Sequence, residues 1–128
     1  MNNITEFSTD EAPAAIGPYS QAVRAGGFLF LSGAIPIDAA SGKLITGGIE
    51  VETRSVLTNI SAVLAAAGLG LEDVVKTTVY LSDIKLFERM NKVYGEFFSP
   101  PYPARATLEV SRLPKGVAIE IEAVALTK

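Results

Sequence analysis

The residues whose types and spacing could do chemistry lie in the last quarter of the chain. In "VAIEIEAVAL", Ile119, Ile121 and Ala123 alternate with Glu120 and Glu122, so both carboxylates project from one face of a strand. A solvated face would explain that alternation by itself. The apolar runs on either side argue for partial burial, and a partly buried glutamate needs a partner. Arg105, in "PPYPARATLEV", is the partner that the order of segments suggests, placed on the preceding strand of an expected antiparallel pair. An arginine there is either one end of a structural ion pair or a clamp. Its planar fork grips a carboxylate through two parallel hydrogen bonds, which lysine cannot imitate.

Four further positions have an ordinary explanation beside a functional one. Tyr19 follows a Gly-Pro turn and is expected to fill the core, the alternative being a hydroxyl presented to a cleft. Ser32 and Gly33 close an apolar strand, either as a plain turn or as a hydroxyl beside an unobstructed backbone N–H. Asn91 lies beside the apolar stripe of a helix and is expected to cap a neighbouring loop.

Absences narrow the chemistry further. The 128 residues include neither histidine nor cysteine, which removes the usual general base, the usual nucleophilic thiolate and the standard zinc ligands. Catalysis is left to carboxylates, arginine, lysine, tyrosine, hydroxyls and backbone amides. The formal net charge of −3 argues against a nucleic-acid partner held by bulk electrostatics. "MNNITEFSTDEAP" has no basic or apolar leader pattern, and no run approaches the ~18 apolar residues of a spanning helix. A soluble, cytoplasmic protein with no membrane partner is the expectation.

The elements that must position these residues read as β-β-β-α-β-α-β-β in one domain spanning 1–128. "YSQAVRAGGFLFLSG" gives two strands joined at Gly26-Gly27, the second ending at Ser32-Gly33 and apolar enough to be buried on both faces. Val56, Ile60, Val63 and Ala67 set a helical period from about 49 to 67, stopped by Gly68. "VVKTTVYL" alternates as a strand. Asp83 then caps a second helix striped by Phe87, Met90, Tyr94 and Phe97 or Phe98, which Pro100, Pro101 and Pro103 prevent from continuing. The predicted fold class is α+β, a mixed sheet with two helices on one face. Apolar residues make up 48% of the chain, so the second sheet face is expected to be buried against neighbouring subunits.

Taken together, "GPYSQAV", "FLSGAIP", "AAGLGLEDVVKTTVYLSD", "YPARATLEVSRLPKG" and "AIEIEAVA" resemble the RidA (YjgF) family of reactive-intermediate deaminases over almost the whole chain. The resemblance implies a chorismate-mutase-like subunit in a homotrimer, with sites in the clefts between subunits. It implies hydrolysis of 2-imino acids, formed from 2-enamino acids, to 2-oxo acids and ammonia, with neither cofactor nor metal. Carried over by position, Arg105 binds the substrate carboxylate and Glu120 positions and deprotonates the attacking water. Tyr19, Ser32, Gly33 and Asn91 shape the cleft, and the Thr107 backbone helps to hold the ligand. Some relatives have cysteine where this chain has Thr107, so thiol chemistry of that kind does not carry over. A non-catalytic trimer that senses small carboxylates is the alternative reading, and RNA cleavage a third, disfavoured by the acidic balance and the missing histidine.

Overall fold

The structure, a computed structural model, describes residues 3–128. Six strands form one sheet: β1 (Thr5–Phe7), β2 (Ala22–Ala25), β3 (Phe28–Ala34), β4 (Val74–Leu81), β5 (Ala104–Glu109) and β6 (Ile119–Leu126). Two helices, α1 (Ile49–Ala66) and α2 (Phe87–Phe97), cover one face, giving the expected α+β architecture.

Local chemistry sets most of the boundaries. Gly26, at φ 61°, turns β2 into β3. Gly68, at φ 74°, ends α1 in a Schellman turn, with Gly68 N–H donating to the Ala65 carbonyl and Leu69 N–H to that of Leu64. Asp83 accepts a hydrogen bond from Lys85 N–H and caps a short 3-10 turn that leads into α2. The helix then stops at Phe97, three residues before Pro100.

The strand order is β1-β2-β3-β6-β4-β5, antiparallel throughout except for β4 and β5, which run parallel. A parallel pair needs a crossover, here α2, which therefore lies on the sheet beside β5. This order corrects the expected pairing of the last two strands: β4 lies between β5 and β6.

Side-chain alternation separates the two faces. Toward the helices point Leu29, Leu31, Val79, Leu81, Ile119, Ile121, Ala123 and Ala125, which close on Val56, Leu57, Ile60 and Leu64 of α1 and Met90 of α2. On the other face Phe28 faces Leu126 and Phe30 faces Val124 across the β3–β6 pair. Phe28, Phe30, Leu108 and Leu126 are 39–51% exposed there. β3 is therefore not buried on both sides, because no element among the described residues covers its second face. It also runs on through Ser32 and Gly33 to Ala34, with its register against β6 shifting between Leu31 and Ala34.

Candidate active site

Register decides which of the chemically equipped residues can meet. Arg105 is aligned with Thr77 on β4, and Glu120 with Tyr80. Thr77 and Tyr80 are three residues apart on one strand, so their side chains, and those aligned with them, leave opposite faces of the sheet. Arg105 points to the helix face and Glu120 to the open one. The expectation that Arg105 partners Glu120 within the chain is thereby corrected.

On the helix face α2 presents Phe87, Asn91 and Tyr94 along one side. Arg105 Nη1 donates to Asn91 Oδ1 at 2.8 Å, and the guanidinium carbon lies 4.6 Å from the Tyr94 ring centre and 5.5 Å from that of Phe87. Asn91 is thus no loop cap; it holds the arginine. Below this layer, Tyr94 Oη and Thr77 Oγ1 share a 2.8 Å hydrogen bond, with both residues buried. Burial raises the Tyr94 phenol above its ordinary range, against the lowering effects of Thr77 and Arg105. Thr107 follows two residues along β5 on the same face, its hydroxyl buried with no hydrogen-bond partner among the described residues.

On the open face Glu120 is partly buried and lies over Gly33 of β3. A Cβ at position 33 would fall 2.9 Å from the Glu120 carboxyl carbon and 3.2 Å from its Cγ, so only glycine leaves this resting place clear. Burial first, and then the charge of Glu122, push the Glu120 carboxyl above the usual carboxylate range. Glu122 is exposed and accepts a hydrogen bond from Tyr80 Oη at 3.0 Å. Ser32 Oγ donates to the Ser20 carbonyl at 2.6 Å, tying down the segment that carries Tyr19. Tyr19 itself is 50% exposed and fills no core.

The chain therefore carries two groups of candidate residues, one on each face of the sheet. One is a cation laid on aromatic rings and steered by an amide; the other is a carboxylate with an elevated proton affinity, set on glycine beside a second carboxylate. Tyr94 was the residue that sequence reasoning missed, since its place in an apolar stripe also fits plain core packing. The available signal was the spacing of Phe87, Asn91 and Tyr94, which puts two rings and an amide on the same side of one helix.

Comparison with known proteins adds a lineage to this geometry. Residues 9–127 match the protein-family model described as Endoribonuclease L-PSP. A RutC family protein of Pyrococcus horikoshii is 57% identical over 117 residues, covering 91% of this chain and 93% of that one. The 2-iminobutanoate/2-iminopropanoate deaminase of Bos taurus is 50% identical over 120 residues, covering 94% and 88%. The crystal structure of RidA from the Antarctic bacterium Psychrobacter sp. PAMC 21119 superposes with a TM-score of 0.91 at 42% identity, covering 95% and 98%.

Proposed function

This chain belongs to the Endoribonuclease L-PSP, or RidA/YjgF, family, and from that premise we propose that it hydrolyses 2-imino acids to 2-oxo acids and ammonia. The observation that carries the proposal is the placement of Arg105 and Glu120 on opposite faces of one sheet. They serve a single substrate only when the Arg105 half-site of one copy closes on the Glu120 half-site of another. The exposed apolar face bearing Phe28, Phe30, Leu108 and Leu126 supplies a reason for copies to associate, and a homotrimer with sites between its subunits is the proposed assembly.

In such a cleft Arg105 takes the substrate carboxylate and fixes C2 relative to Glu120. The protonated imine is already electrophilic, so one water and one acid–base group suffice. Glu120 accepts a proton as the water oxygen bonds to C2, giving a tetrahedral amino alcohol. It returns that proton to the nitrogen, then takes the hydroxyl proton as the C–N bond breaks, so that ammonia leaves as the 2-oxo acid forms and the glutamic acid passes this last proton to the departing ammonia or to water. An elevated proton affinity suits this double duty, because the group must both take and give a proton near neutral pH. Neither step needs a cofactor or a metal, in keeping with a chain that has no histidine or cysteine. That composition and the net charge of −3 also favour imine hydrolysis over RNA cleavage.

The test is to generate 2-iminobutyrate in situ with an amino-acid oxidase and to follow 2-oxobutyrate with and without the protein. Wild type should exceed the spontaneous rate and Arg105→Ala should not. The second reading, a carboxylate sensor, draws on the Arg105 half-site alone, which is held in place without Glu120. It prevails if neither protein exceeds background while wild type still binds 2-oxobutyrate.

A further inference from the structure

Arg105 needs more than a charge to act as a clamp, since an unrestrained arginine has many rotamers and would lose that freedom on each binding event. The restraint visible here is mostly aromatic. Tyr94 lies against the guanidinium at 4.6 Å and is itself fixed from two sides: its hydroxyl is bonded to Thr77, and its ring packs at 4.5 Å on that of Phe98. Thr77 is 1% exposed and is the register partner of Arg105 on the adjoining strand. The strand that carries the arginine and the helix that supports it are thus joined through one buried hydroxyl pair.

We infer that Tyr94, locked by Thr77, is the positioning residue that sets the plane in which Arg105 meets a carboxylate. Phe87, 5.5 Å from the guanidinium carbon, limits its swing along α2. Among the described residues the hydrogen bond that Arg105 donates with good geometry leaves from Nη1, to Asn91, which keeps the edge formed by Nε and Nη2 for the ligand. A carboxylate would therefore bind side-on and coplanar with the guanidinium. Lysine at position 105 could neither rest on the ring in this way nor offer such an edge.

The inference rests on the proposed deaminase reading, so the experiment must distinguish the two. Steady-state kinetics with 2-iminobutyrate and calorimetric binding of 2-oxobutyrate are measured for wild type, Tyr94→Leu, Tyr94→Phe and Thr77→Val, each with and without Arg105→Ala. With Arg105 present, Tyr94→Leu should raise KM and the 2-oxobutyrate Kd by about 3- to 30-fold, the range of a partly desolvated cation–π contact, and change kcat far less. Tyr94→Phe keeps the ring and most of the core volume, and it should recover most of that loss. Combined with Arg105→Ala, Tyr94→Leu should add nothing, because the group it positions is gone. Losses that add in the double variant, or an unchanged KM in Tyr94→Leu, would overturn the inference while leaving the deaminase reading standing. If Tyr94→Leu does not fold, the same coupling is read from Tyr94→Phe and Thr77→Val, whose smaller KM increases should likewise vanish with Arg105→Ala. Wild type that neither binds 2-oxobutyrate nor accelerates hydrolysis overturns both.

Discussion

The two faces of the sheet carry candidate residues of opposite character. On the helix side Arg105, Asn91, Tyr94 and Thr77 are linked by hydrogen bonds and ring contacts, and each restrains the next. On the open side the Glu120 carboxylate has no hydrogen bond among the described residues and stands beside a second carboxylate. The first arrangement lowers the entropy cost of binding an anion. The second raises the proton affinity of a group that would otherwise stay ionised at every physiological pH. A cation restrained by its neighbours and a carboxylate of raised proton affinity are different devices, and this fold builds them on β5 and β6, on opposite faces of the sheet.

The comparison breaks most sharply when either half is removed. Glu120→Gln should lower kcat by about 10²–10⁴-fold, the range for loss of a general base, while 2-oxobutyrate binding persists. Arg105→Ala should lose both, with kcat/KM down by about a hundredfold or more, as for the loss of a buried charge partner. Co-expressing these two inactive variants tests whether the halves belong to different copies. Random assembly restores about a quarter of the sites, each taking its arginine from one chain and its glutamate from the other. No recovery in the mixed protein would place the whole site in a single chain.

Gly33→Ala sharpens the contrast from the open side alone. The added Cβ would meet the Glu120 carboxyl, which must rotate away while Arg105 is untouched. Turnover should fall about 10- to 100-fold, in line with misplacement of a catalytic group, and 2-oxobutyrate affinity should hold. Calorimetry beside the coupled assay separates the two effects. Equal losses in binding and turnover would mean that Gly33 serves the ligand directly and not the glutamate.

How much of this was legible in the sequence follows from the range of the interactions. The period of two in "AIEIEAVA" placed Glu120 and Glu122 on one face, and the spacing from Val56 to Ala67 marked α1, because both patterns are local. The position of β4 between β5 and β6 was not legible. It depends on how α2 crosses the sheet, which no local pattern encodes. Since a shift of one residue in register moves a side chain to the other face, the error in strand order became an error about whether Arg105 and Glu120 meet. Gly33 was recognised as a candidate, but its contact with Glu120 arises where the β3–β6 register shifts, another non-local feature.

A gentler change tests why Glu120 has its raised proton affinity. Burial is the larger cause and Glu122 the smaller. The other charged or titratable side chains that the register puts on this face are Tyr80, which is bonded to Glu122, Lys76, whose Nζ donates to the Thr77 carbonyl on its own strand, and Glu6, three strands away on β1. If Glu120 must be ionised to accept the water's proton, activity rises with pH through its elevated pKa. Glu122→Gln removes the adjacent negative charge, so this limb of the profile should move to lower pH. It should stay above the ordinary carboxylate range, because burial remains. A limb that does not move would assign the whole effect to burial.

The smallest effect concerns stability and follows from the same shift. A carboxylate whose pKa is raised in the folded chain binds its proton more tightly there than when unfolded. Its contribution is therefore fully present below the unfolded pKa and is lost as pH rises through the folded one, so ionised Glu120 destabilises the fold at neutral pH. Glu120→Gln cannot ionise and escapes that loss. The variant should melt above wild type near neutrality, by a margin that solvent screening of this half-exposed group keeps small, and the gap should close toward pH ~4 as wild-type Glu120 takes up its proton. Assembly of the copies would bury the open face further and enlarge the gap without changing its sign. Melting curves at a fixed protein concentration across this range decide the matter. A variant less stable than wild type at neutral pH would mean that Glu120 has a favourable partner in the assembly, and the picture of a deliberately unpartnered carboxylate would have to be abandoned.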